Sequence, residues 1–453
     1  MRSKDYPAWY LPLLLVFILS VSLLSCSQSP PSPPAPVQAT GPVATWIQQH
    51  ALPLTSVEPG GSAADLQPLQ QIVGDAMIVG LGEATHGAHE FFSIKSRLFE
   101  FLVEKMGFTT FAIENGWDVS RQIDQYVQTG NGDIHALMRA DLYQSWRTQE
   151  VLDLIEWMRN YNASPAHAAK VHFVGIDAWD VSQAVFDDVV TYVRAVDPQQ
   201  ADQVQALYFG IRPNTPGRVL VDYDGFSANS QDAKLHYQAN AQQVYDLLQS
   251  QQSTYESRSS SQAFALALHE AEVILQYITL GVLIPPSGTL FSSSAAYDKR
   301  DEFMADNVAW LHDQAGGQGK MVVWAHNVHI GSLKVTKNMG AFLRRWYQES
   351  YRLIGTSFYQ GKDTIFQGES TIFQTPTPGT DTYNYALGSV GLPLYLLSLR
   401  DVPTGPVNAW IQGPHPLLNY GVGGEDLEML GSLQYWFDAI AQIETITPSH
   451  VLP

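Results

Sequence analysis

Two spacings of apolar residues alternate along the chain. Strand-length runs stand at 76–80 (AMIVG), 107–115 (GFTTFAIEN), 170–180 (KVHFVGIDAWD), 320–330 (KMVVWAHNVHI) and 351–361 (YRLIGTSFYQG). Two further candidates lie at 392–401 (LPLYLLSLRD) and 437–448 (FDAIAQIETITP). Runs of this kind, entered after turn residues such as Gly74 and Asp75, predict buried strands. Between the first two runs the period changes. Phe91, Ile94, Leu98, Phe101 and Leu102 fall on one face of a helix. Repetition of strand, helix and strand predicts an α/β fold, a mostly parallel sheet flanked by helices. Residues about 196–285 break the rhythm. They are Gln-rich, helical in spacing and end in AFALALHEAEVILQYITLGVLIPP, which predicts a helical insertion serving as a lid, with His269 and Glu270 making a lid contact.

The N-terminus follows neither pattern. Arg2 and Lys4 precede an apolar run, WYLPLLLVFILSVSLL, that is short and terminal, as in a signal peptide. It ends in LLSC, which resembles a bacterial lipobox, and Cys26 is the only cysteine of the chain. A lone cysteine excludes an intrachain disulfide framework. The proline-rich SQSPPSPPAPVQATGP that follows suits an extended tether. The expected organisation is a lipoprotein signal peptide at 1–25, a tether at 26–44 with Cys26 lipidated, and a catalytic domain at 45–453. That domain would be anchored to the bacterial cell envelope, outside the cytoplasm.

Charge narrows the choice of partner. The 453 residues carry a formal net charge of −19, so a phosphate backbone would be repelled and nucleic-acid binding is not expected. The aromatic content (11 Trp, 21 Tyr, 19 Phe) suits a pocket for a small organic molecule.

The chemistry collects where the apolar runs stop. In a parallel sheet the C-terminal strand ends share one edge, and ligands bind there. The first run is followed by Glu83 and His86, the second ends in Glu114, the third reaches Asp177, and the fourth delivers His326 and His329. A single Glu after a strand is more often a cap than a catalyst, and a single His beside apolar residues is more often structural. His50, His167, His236, His312, His415 and His450 receive that structural reading. The convergence of four strand ends carries the functional one. Gly82 and Gly87 allow a tight turn whose following helix N-terminus could face an anion. The chain has no G-x-S-x-G, no H-E-x-x-H and no G-x-x-x-x-G-K-[ST], and Cys26 is assigned to lipid. What remains is carboxylate and histidine chemistry on a water nucleophile, with or without a metal.

GEATHG, AIEN, YDKRDEFMADNVAWL and WAHNVH occur in order, and together with FDAIAQIETITP they resemble the erythromycin esterase family from about residue 45 to the end. The resemblance implies hydrolysis of an ester or lactone, in the named members the macrolactone ring of a macrolide antibiotic, without a cofactor. It implies that His86 is a general base on water, and it matches Glu83, Glu114, His326 and Arg300 to catalytic positions. Glu83 or Glu114 would orient His86, while Arg300, His326 and Lys95 would stabilise the oxyanion. Lys95, Arg97, Asp177 and His329 would bind substrate, and Asp301 completes the matched Arg-Asp pair. Two other readings stay open. One is a metal-dependent hydrolase using the H-x-x-H pairs His86/His89 and His326/His329. The other is a lipoprotein that binds haem or another hydrophobic ligand without catalysis.

Overall fold

The computed structural model describes residues 41–453 apart from 216, 223–225, 287 and 334–336. The expected signal peptide, most of the expected tether and Cys26 lie outside the described residues. All seven apolar runs contain strands: β1 (Ile78–Glu83), β2 (Thr110–Gly116), β3 (His172–Asp177), β4 (Met321–His326), β5 (Tyr351–Gln367), β6 (Leu394–Ser398) and β7 (Ala439–Ile446). With the edge strand Leu52–Pro53 and the arm Glu369–Gln374 they make a nine-stranded sheet. From the short edge strand the order is β6, β7, β5, β1, β4, β2, β3. The six strands from β7 to β3 run parallel, and β6 is antiparallel to β7.

β4 stands between β1 and β2, so these two strands are not neighbours, contrary to what their succession in sequence suggests. The register sets Glu83 of β1 beside His326 of β4. Residues alternate between the two faces of the sheet, as a pleated strand requires. Val79, Leu81, Phe111, Ile113, Val322 and Trp324 enter one core, and Ile78, Ala112, Val323 and Ala325 enter the other.

Helix α1 (His89–Met106) buries the predicted apolar face and ends at Gly107, whose φ of 74° closes the last turn. The helix α2 (Trp117–Thr129) follows β2 and ends in the same way at Gly130. Residues 196–285 do form helices, chiefly Pro198–Tyr208, Gln231–Ser250 and Ser261–Leu283, around an apolar core of their own. His269 stacks on Trp310 at 4.0 Å, and Glu270 pairs with Arg121 of α2. These two residues therefore dock the helical segment onto the sheet's own helices.

Candidate active site

β1 ends at Glu83, and the loop 84–88 passes directly into α1. Close approach demands the two glycines here. A Cβ at Gly82 would overlap the Asn327 side chain, and one at Gly87 would overlap the Thr364 carbonyl. The start of α1 does not face a ligand. His89 N–H donates to the Thr447 carbonyl at 2.9 Å, so the C-terminal segment covers the helix start.

Glu83 is fully buried and holds two basic side chains. Its Oε1 accepts from His86 Nδ1 at 2.9 Å, and its Oε2 pairs with the ammonium of Lys95. Lys95 is itself buried, 4.2 Å above the Trp324 ring; burial pulls its pKa well below the usual lysine range, and the contact with the Glu83 carboxylate is what holds the proton on it. Because Nδ1–H donates to the carboxylate, the proton of the neutral His86 imidazole stays on Nδ1 and Nε2 presents a free lone pair. Burial lowers the His86 pKa below the usual 6.5; Glu114 opposes this, and His329 and Arg300 add to it. The imidazole is thus kept neutral and basic at neutral pH, rather than poised at its ordinary value.

Glu114, at the end of β2, does not touch His86. Its Oε1 accepts from Arg300 Nη2 at 2.8 Å, and its Oε2 accepts from the His326 backbone N–H at 3.1 Å. Burial works against its charge, but His329 and Arg300 hold the carboxyl well below the usual range. Arg300 comes from the helix Ser294–Gln314. Its Nε and Nη2 are bound by Asp177 at 3.0 and 2.5 Å. His329 is wedged between Asp301, 2.7 Å from Nδ1, and Glu114, 3.3 Å from Nε2. Burial disfavours its charged form, yet these two carboxylates push its pKa well above 6.5, making it an imidazolium.

His86, Glu114, Arg300, His326 and His329 line one cavity of about 280 Å³, together with Tyr143, Trp179, Arg218, Tyr297 and others. A larger apolar cavity of about 620 Å³ adjoins it, sharing Tyr297, Val328 and Leu427.

Several expected roles change. His326 cannot serve an oxyanion, because Nδ1 accepts from the Val328 N–H and Nε2 donates to the Tyr420 carbonyl. Lys95 and Asp177 lie behind Glu83 and Arg300 and do not line the cavity. Arg97 is remote from it: its guanidinium clamps the Ser56 and Ser62 carbonyls and Asp65. The two H-x-x-H pairs do not assemble a metal site. His89 turns away to Glu58 and Glu150, His326 is committed to backbone, and His329 is held by two carboxylates. His450, read as merely structural, also contacts Glu150.

Three contributors carried no label in the sequence. Tyr297 places its hydroxyl 3.3 Å from His329 Nε2, and Tyr143 donates to Asp177 at 3.2 Å. Tyr297 opens the YDKRDEF stretch, three residues before Arg300 and so on the same helix face, a spacing that could have found it. Asp363 is buried behind the loop, where it accepts from Thr85 and acts electrostatically on His86. Burial raises Asp363 to about 7, against the opposing pull of Thr85 and His86.

The erythromycin esterase family profile matches residues 103–446. Erythromycin esterase type II of Escherichia coli is 24% identical over 436 residues, which span 90% of this chain and 98% of that protein. A crystal structure of a Bacillus cereus protein superposes with a TM-score of 0.80 at 32% identity, covering 91% of this chain and 98% of that one. An erythromycin esterase variant solved in an open conformation shares the fold, with a TM-score of 0.69 at 17% identity over 89% of this chain and 99% of its own.

Proposed function

The chain belongs to the erythromycin esterase family, and on that premise we propose that it is a carboxylic ester hydrolase in which His86 activates water. The observation that carries this reading is the Glu83–His86 pair, with Nδ1 held by the carboxylate and Nε2 left free on a residue that lines the cavity. His86 Nε2 takes a proton from water as the oxygen attacks the ester carbonyl. Glu83 stabilises the imidazolium that forms, and Lys95 balances the second Glu83 oxygen. The negative charge on the tetrahedral intermediate meets the positive field of Arg300 and the His329 imidazolium. The remaining N–H groups of Arg300 Nη1 and the Tyr297 hydroxyl are available as donors. Collapse expels the alkoxide, which recovers the proton from His86, and the products are a carboxylic acid and an alcohol. No covalent enzyme intermediate is involved.

The adjoining apolar cavity suits a bulky alcohol or acyl portion, and macrolide lactones are one class of that size. The test is a screen of macrolides and simple esters, read by the gain of one water in product mass. Turnover of an ester that vanishes in His86→Ala supports the reading, and a folded protein with no turnover on any ester rejects it. We place the domain on the bacterial envelope through a lipid on Cys26, supported by LLSC and the proline-rich tether. A Cys26→Ser protein that still fractionates with membranes after signal cleavage would reject that placement.

A further inference from the structure

Outside the cavity, two histidines distant in sequence converge on one carboxylate oxygen. Glu150 Oε1 lies 2.7 Å from His89 Nδ1 and 2.7 Å from His450 Nδ1. His89 opens α1, Glu150 is the second residue of the helix Gln149–Ala163, and His450 belongs to the C-terminal segment. Backbone bonds hold that segment between the two helix starts. Ser449 N–H donates to the Gly87 carbonyl at 2.7 Å, and Gln149 N–H donates to the His450 carbonyl at 2.8 Å. The His450 N–H also donates to Glu150, at 3.1 Å. None of the three residues lines the cavity that holds His86.

We propose that His89, Glu150 and His450 form a binding site for a divalent first-row transition ion, zinc foremost, that clips the C-terminal segment to the two helix starts. The ligand set is two imidazole nitrogens and one carboxylate oxygen, with the three atoms all within 4.8 Å of one another. This is a set that suits zinc, which bonds such atoms at about 2.0–2.2 Å. The outer shell that orients a metal-bound histidine is in place as well. His89 Nε2 lies 2.8 Å from Glu58, which leaves Nδ1 as the coordinating atom. Adjacent ligands of a tetrahedral zinc stand roughly 3.3 Å apart, so the cluster opens by about half an ångström to admit the ion. His450 can yield that distance, because its side chain is 67% exposed. A fourth position remains for water. The site is a fastener for the C-terminal segment and takes no part in ester hydrolysis.

The experiment uses the full chain without a histidine tag, stripped of metal by a chelator and titrated with zinc alone in a calorimeter. Hydrogen exchange is followed at 447–452. The expected result is one zinc per chain and slower exchange in that segment. His450→Ala should weaken zinc binding at least tenfold while circular dichroism and thermal melting remain those of a folded protein, since the removed ring is exposed. Glu150→Gln should lose binding too, and His236→Ala should leave it unchanged. The proposal is overturned if the stripped protein takes up no stoichiometric zinc, or if His450→Ala binds it as tightly as the original chain.

Discussion

Removing the Lys95 ammonium while keeping the side chain's bulk tests the buried relay behind His86. Lys95→Met leaves the Glu83 carboxylate in the core with only the neutral imidazole of His86 against it among the described residues. Breaking a buried ion pair from one side destabilises by about 3–5 kcal/mol. Unfolding entropy near 2.1 cal/mol/K per residue, over some 400 residues, is about 0.9 kcal/mol/K, so the melting temperature should fall by roughly 3–6 °C. The same change alters the acid–base behaviour. An uncompensated Glu83 favours the imidazolium, so the His86 pKa must rise and the acid limb of kcat/KM must move to higher pH. Glu83→Gln combined with Lys95→Met removes both charges together. It should recover most of the lost melting temperature yet leave turnover impaired, because the amide can no longer stabilise the imidazolium. The assays are differential scanning calorimetry and a pH–rate profile on any accepted ester. If Lys95→Met moves neither the melting temperature nor the acid limb, or if the double variant melts below both single variants, the relay reasoning is wrong.

Three further outcomes follow from the same geometry. His86→Ala should reduce turnover by about 10²–10⁴-fold with melting nearly unchanged, and a folded variant with near-normal turnover would refute the general-base role. In the original protein, burial depresses the His86 pKa, so the basic form persists below pH 6.5 and the acid limb of kcat/KM should have its midpoint below that value; a midpoint above it would contradict the burial argument. Arg97→Ala should lower the melting temperature by freeing the Ser56 and Ser62 carbonyls and Asp65, while kcat and KM at moderate temperature stay as they were; a raised KM would restore Arg97 to the substrate site.

The α/β fold and the convergence of strand ends were legible because apolar runs in a parallel sheet are continuous and stop abruptly where the polar edge begins. β1 to β4 do place Glu83, Glu114, Asp177 and His326 on one edge. Strand order was not legible, since no local spacing reveals that β4 inserts between β1 and β2. The expected substrate contacts of Lys95 and Arg97 conflict with the spacing itself: residues two apart on a helix point to nearly opposite sides, so both cannot reach one site. One turns under Glu83 and the other clamps the 56–65 loop. His326 loses its expected role because backbone groups take both its ring nitrogens, contacts that no spacing in the sequence encodes. Asp363 left no trace in the pattern, because it lies beyond Gly361 in the long extension of β5, away from any apolar run that would announce a strand end.

The place of β7 has a consequence for how the protein is made. This strand follows β5 and β6 in sequence, yet it sits between them, and the residues after it thread between the starts of two helices. While the chain is being synthesised, β5 and β6 must wait with unpaired edges until residues 439–446 have left the ribosome. The sheet therefore cannot close until that late segment arrives, with its two flanking strands held apart in the nascent chain. A stop codon before residue 439 would not trim the domain at its margin; it would leave a gap in the middle of the sheet.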